Sequence, residues 1–132
     1  MSAYRFLIAT RDLIIVAGRP SMGKSALLFS TVLSAAKQGT SSLEFTMEMP
    51  TQAAVQRMIS DMVYNSLTGI PYDRIMRGDL RDYEIERLTG AGSRLENLPI
   101  AWDEQTALTA SEIRIRTQRH QDKLGARGEV LD

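Results

Sequence analysis

The sequence predicts an α/β fold with a mainly parallel sheet flanked by helices. Three observations carry that reading. An unbroken apolar run, Leu13 to Ala17, stands immediately ahead of a glycine-bearing loop. Helical periodicity begins directly after that loop, at Ala26, Leu27, Leu28, Phe29, Val32, Leu33, Ala35 and Ala36. Further short apolar segments then alternate with helical stretches, the order in which crossover helices connect parallel strands. With 132 residues the chain is one domain or part of one.

Taken in order, residues 1–11 form a lead-in of uncertain structure. Asp12 to Ala17 reads as a strand buried on both faces, because a parallel strand covered on each side is continuously apolar. A helix is expected from about Lys24 to Lys37, stopped by Gly39. After small residues at 39–42, Leu43-Glu44-Phe45-Thr46-Met47 alternates as a strand does and ends at Glu48-Met49-Pro50. Pro50 suits a helix start, and Ala54, Val55, Met58, Ile59, Met62 and Val63 recur every three or four residues, predicting a helix from about Thr51 to Asn65. Met47, Met49, Met58 and Met62 read as core filling. Ile70-Pro71 opens two short helical pieces, and residues 79–94 carry Leu80, Tyr83, Ile85 and Leu88 among charges, with Gly90 and Gly92 expected to break the helix. Leu98 to Trp102 is a short strand. Thr109-Ala110-Ser111-Glu112 is a capping box opening a helix to about Leu124. A turn is expected at Gly125 to Gly128, then the beginning of another strand at Glu129-Val130-Leu131-Asp132.

Composition narrows the function. Sixteen basic and 16 acidic residues cancel, so contact with nucleic acid has to come from a local patch rather than from bulk charge. No cysteine is present, which excludes disulfides, thiol nucleophiles and cysteine metal sites, and a single histidine, His120, excludes a histidine-rich metal site. No apolar run approaches membrane-spanning length, and the N-terminus lacks the basic start and long apolar core of a signal peptide, so the expected location is cytoplasmic.

The loop fits G-x-x-x-x-G-K-[ST] with Gly18, Arg19, Pro20, Ser21, Met22, Gly23, Lys24 and Ser25. Glycines let the backbone curl so that successive N–H groups converge on phosphate oxygens, and the helix that follows adds its free N–H groups and the positive end of its dipole. Lys24 can reach the β and γ phosphates of ATP, and the Ser25 hydroxyl can ligate Mg²⁺. Strand, loop and helix stand in the order this chemistry requires.

Hydrolysis needs carboxylates besides a cradle, one to orient water and one to hold the metal. Glu48 closes the second strand, at the edge where open α/β sheets bind ligands. By position alone the preferred reading is a solvated strand-end glutamate or the N-terminal charge of the next helix. Asp132, preceded only by Val130 and Leu131, has the place of a metal-side acid or of a terminal aspartate in solvent. Asp103 and Glu104 belong either to the same edge or to a turn. Arg114, Arg116, Arg119, His120 and Lys123 give the last helix a basic face, diluted by Glu112 and Asp122, which reads as a solvated surface.

Together these stretches resemble one family. Residues 12–25 look like the phosphate loop of the DnaB-type replicative DNA helicases, the Arg19-Pro20-Ser21-Met22 filling included. Thr46-Met47-Glu48-Met49-Pro50 is similar to that family's Ser-Leu-Glu-Met-Pro segment, with Met47 a volume-conserving change. Gln56-Arg57-Met58, Gly78-Asp79-Leu80, Leu98-Pro99-Ile100 and residues 108–114 follow in the family's order. The resemblance implies a RecA-like P-loop NTPase domain, present as a partial domain over residues 12–132 and incomplete at its C-terminus. It implies Glu48 and Lys24 as catalytic residues, residues 18–25 as the ATP contacts, and Ser25 and Asp132 as Mg²⁺ ligands. It also implies a homohexamer that moves on single-stranded DNA at the replication fork, with primase and a helicase loader as partners. Departures are the unmatched residues 1–10 and the lack of any counterpart to the DNA-binding loops, the arginine finger and the strand expected between the phosphate-loop strand and the Asp132 strand. Without that strand, open edges and uncovered apolar surface are expected. The alternatives are a truncated non-enzymatic helicase fragment and a different RecA-like ATPase such as a recombinase paralogue, against which the Arg19 to Met22 filling and the Glu48 segment argue.

Overall fold

The structure is a computed structural model, described here for residues 13–64 and 68–126. Its elements run α1 (Lys24–Lys37), β1 (Ser42–Phe45), α2 (Thr51–Val63), α3 (Tyr72–Arg77), α4 (Asp82–Glu96), β2 (Ile100–Asp103) and α5 (Ala110–Ala126). The two strands pair in parallel, with Ser42 beside Ile100 and Phe45 beside Asp103. The expected α/β class with a parallel sheet is therefore present, and among the described residues that sheet has two strands.

Local chemistry accounts for the helix ends. Gly23 precedes α1 with φ +83°, a left-handed conformation that costs a side-chain-bearing residue about 1–2 kcal/mol. At the other end of α1, Gln38 and Gly39 donate to Ala35 and Ala36 carbonyls. Pro50 and Pro71 stand at the N-caps of α2 and α3, where a missing N–H costs nothing. The capping box of α5 forms as predicted: the Thr109 N–H donates to the Glu112 carboxylate at 2.7 Å, and the Glu112 N–H donates to Thr109 Oγ1 at 3.3 Å.

The core sits between the first four helices and one face of the sheet. Phe29 and Leu33 of α1, Ala54 and Met58 of α2 and Leu95 of α4 are buried together, with Ile100 and Trp102 of β2 packed against them. Phe29 and Trp102 meet as a tilted aromatic pair, 6.5 Å between centroids. Each such side chain taken fully from water contributes about 1.5–3 kcal/mol. A second cluster joins Val63, Ile70 and Ala91, with Ile75 and Leu80 closing over it.

Polar groups fix the connections. Glu84, the one buried charged residue described, binds the Arg74 guanidinium through both oxygens at 2.9 Å and accepts from the Arg81 N–H. This clamps α3 to the start of α4, and the Arg74 hydrogen bonds hold the Glu84 carboxyl below its ordinary range. Arg87 donates to the Val63 and Thr68 carbonyls, capping the end of α2.

Several expectations are corrected. Residues 13–17 do not form a strand: they are exposed, with Leu13 at 89% and Ile15 at 80%, and among the described residues β1 and β2 pair only with each other. A strand is held by its ladder, and an apolar run without ladder partners remains an extended segment. Gly90 and Gly92 do not break α4. Glycine costs a helix interior about 1 kcal/mol, but burial of Ala91 and Leu95 offsets that, and Gly92 lies close to Ile59. Met58 is fully buried and Met49 and Met62 pack on the core, whereas Met47 is 44% exposed. The helix continues through Gly125 to Ala126, so the turn expected from Gly125 does not begin there. The lead-in, Asp12, Asn65, the final strand and Asp132 lie outside the described residues.

Candidate functional site

The loop of residues 18–23 is tied into the first turn of α1 by Lys24. Its ammonium donates to the Gly18 carbonyl at 2.9 Å and to the Arg19 carbonyl at 3.1 Å. Ser21 (φ 62°) and Gly23 (φ +83°) both take left-handed conformations, and the Met22 N–H reaches the Arg19 carbonyl at 3.4 Å, so the loop turns tightly over the lysine stem. A Cβ on Gly18 would sit 3.7 Å from Lys24 Cγ, an ordinary contact, so at this position the loop is close without being crowded. No side chain caps α1, leaving its first N–H groups to an outside acceptor. Arg19, Pro20, Met22 and Gly23 are exposed, and Lys24 and Ser25 are half-buried. An anion entering here would meet a cation and a row of helix N–H donors, a polarity that fits a phosphate chain.

Glu48 lies on the turn after β1. Two contacts fix that turn: Thr46 Oγ1 meets Thr51 Oγ1 at 3.1 Å, and Met49 packs into the core. Glu48 itself is exposed, as a group that meets water should be. The other β1 carboxyl, Glu44, differs, because burial pushes it above the usual carboxylate range.

The short link of residues 38–41 makes α1 run antiparallel to β1. Both parallel strands end at one edge, with Phe29 of α1 against Trp102 near the end of β2 and Glu48 in the turn that follows β1. Lys24 and Ser25 stand in the first turn of α1, and Glu48 follows β1 at the edge where the two strands end. Asp103 ends β2 at that edge but is committed elsewhere. Its carboxylate binds Arg116 Nη1 at 2.7 Å and accepts from the Gln105 N–H, which holds it below the ordinary aspartate range. Arg116, which also bonds the Gln105 side chain, ties α5 to the sheet and leaves Arg114 and Arg119 as the exposed arginines of that helix. Nothing in the sequence distinguished Arg116 from its neighbours. Among the described residues no cluster of three or more metal-ligating side chains occurs, and no helix is long and apolar enough to cross a membrane.

A helix-rich α/β chain with a small parallel sheet, and a glycine-bearing loop ahead of its first helix, is what the fold defines. Residues 8–131 match the family described as DnaB-like helicase C terminal domain, and the chain belongs to that family. It is 34% identical over 121 residues to the probable replicative DNA helicase of Guillardia theta, covering 91% of this chain and 19% of that protein. It is 34% identical over 122 residues to replicative DNA helicase DnaB of Synechocystis, covering 91% of this chain and 13% of the relative. Against replicative DNA helicase DnaB of Buchnera aphidicola subsp. Schizaphis graminum the identity is 36% over 110 residues, 82% of this chain and 23% of the relative. The chain therefore spans less than a quarter of the length of these relatives.

Proposed function

We propose that this chain is the nucleotide-binding front of the RecA-like motor of a replicative DNA helicase, which hydrolyses ATP to move on single-stranded DNA and separate the duplex. The observation that carries this is the family match over residues 8–131, which takes in both the loop of residues 18–25 and Glu48. In this reading Gly18, Arg19, Pro20, Ser21, Met22 and Gly23 wrap the phosphates. Lys24 exchanges its bonds to the Gly18 and Arg19 carbonyls for phosphate oxygens. Ser25 and Asp132 would hold Mg²⁺, which would neutralise phosphate charge, and Glu48 orients the attacking water and accepts its proton. ATP with Mg²⁺ supplies the phosphoanhydride whose cleavage releases the driving free energy. The parent protein works as a homohexamer in the cytoplasm, with primase and a helicase loader as partners.

A second reading has a specific observation behind it. Leu13, Ile14, Ile15 and Val16 lie exposed beside the loop, which favours reading this chain alone as a non-enzymatic helicase fragment that binds nucleotide poorly or not at all. The two readings agree that the isolated chain does not displace strands. Titration with a fluorescent ATP analogue and Mg²⁺ separates them. Saturable binding that Lys24→Ala abolishes supports a formed cradle, and no binding by either chain refutes it for the isolated chain. In a full-length context Glu48→Gln is expected to keep ATP binding and lose turnover by about a hundredfold or more. Retained turnover removes Glu48 from the role.

A further inference from the structure

A second concavity lies on the flank of α1, where α1, α2 and α3 meet. It encloses about 270 Å³ and is lined by Ala26, Phe29, Ser30, Arg57, Asp61 and Tyr72, with Ser60 beside them. Arg57 stands out on its wall. Its guanidinium lies over the Tyr72 ring, 4.7 Å from the centroid, and its Nε is buried without a hydrogen-bond acceptor. Four ion pairs are formed among the described residues, and Arg57 is in none of them. Polar side chains of the lining are engaged in part, Asp61 through Oδ2 alone. Asp61, one turn further along α2, accepts from the Ser30 hydroxyl at 2.7 Å, and the Ser60 hydroxyl donates to the Ile70 carbonyl at 2.8 Å.

A buried donor without an acceptor costs free energy that an incoming acceptor recovers. The ring holds the guanidinium fork flat, so little side-chain freedom remains to be lost on binding. We propose that this notch receives an acidic side chain, Asp or Glu, from a partner protein. The carboxylate accepts from the Arg57 guanidinium, and a peptide N–H of the same segment donates to Asp61. Three features select a carboxylate in a peptide over a phosphate. The notch is roomy enough for a side chain together with its peptide backbone, the fork matches two coplanar oxygens, and Asp61 opposes a second negative charge while offering an acceptor to an amide.

The test follows the Nε–H resonance of Arg57 in the ¹⁵N-labelled chain, assigned through its loss in Arg57→Lys. The probes are the tripeptide acetyl-Ala-Glu-Ala-amide, its glutamine counterpart and inorganic phosphate, at matched ionic strength. The expected result is a saturable shift with the glutamate peptide and a response at least about tenfold weaker with the glutamine peptide and with phosphate. The readout is made on the unmodified chain, and the conservative Arg57→Lys serves only to assign the resonance, its remaining resonances confirming that it folds. No shift with the glutamate peptide, or equal shifts with glutamate and glutamine, overturns the proposal. A phosphate response as strong as the glutamate response overturns it in favour of a phosphate-bearing ligand such as nucleic acid.

Discussion

Met58→Ala tests the account of the core most directly. Met58 is fully buried, in contact with Phe29, Leu33, Ala54 and Leu95 where α1, α2 and α4 converge. Truncation removes the thioether arm and leaves a void that neighbours on three helices fill only in part. Such changes cost about 2–5 kcal/mol, and with flexible Met49 and Met62 close by to relax inward the expected loss is about 3 kcal/mol. A chain of 132 residues has a total stability of about 7–20 kcal/mol, so this is a large fraction of it. At a urea slope of about 1.5 kcal/mol per molar, the unfolding midpoint falls by about 2 M. The assay is urea unfolding followed by the fluorescence of Trp102, the sole tryptophan, which packs against the same cluster, with circular dichroism as a second probe. Met58→Leu, close in volume, is expected to lose less than about 1.5 kcal/mol. Met47→Ala, at an exposed position, is expected to be near neutral. A Met58→Ala midpoint within error of Met47→Ala would refute the placement of the core.

Acidification tests the Arg74–Glu84 clamp. The folded-state carboxyl of Glu84 titrates below its ordinary 4.5, so its contribution is full above that value and is lost as pH falls through the lower, folded one. Thermal midpoints of Glu84→Gln and the parent chain should therefore converge as the pH drops below about 4.5, and a gap that stays constant there rules the linkage out. Gly90→Ala is expected to stabilise by about 0.5–1 kcal/mol, because its Cβ would point into a helix flank and approach nothing closer than an Arg94 nitrogen at 3.9 Å. Gly78→Ala, at φ +68°, is expected to cost about 1 kcal/mol, and denaturant midpoints read both changes. Arg116→Ala removes the tie between α5 and the end of β2, so amide exchange should speed up in residues 110–126 and hold in α2; unchanged exchange in α5 would show that other contacts hold the helix.

What could be read from the chain was whatever local chemistry determines. Phe29, Leu33 and Ala36 recur at helical spacing on one face, and Pro50, Pro71 and the Thr109–Glu112 pair mark helix starts by mechanisms that need no distant partner. The loop of residues 18–25 was legible for the same reason, since phosphate chemistry requires glycines and a lysine at set spacing. The errors came from distant partners. An apolar run such as residues 13–17 says nothing about which backbone will pair with it. Gly90 and Gly92 reverse their local preference because α4 packs on α2. Asp103 reads as either a carboxylate at the ligand edge or a turn residue until Arg116 is brought to it by the fold. Glu48 is the opposite case: an exposed strand-end glutamate looks like any other, and only its resemblance to a family segment singled it out.

The parallel pairing of β1 with β2 also bears on how the chain reaches this structure. Phe45 and Ile100 are separated by three helices, so roughly 55 residues must be synthesised before β1 meets its partner. At translation rates of about 5–20 residues per second, that is a wait of about 3–11 s. The helices form in microseconds and can dock in pairs during the interval, because α2 contacts its sequence neighbours α1 and α3 as well as α4. Strand pairing, whose loop-closure entropy is not repaid by local contacts, then comes last. The order of synthesis therefore favours helix-first folding, with β1 paired only once β2 arrives.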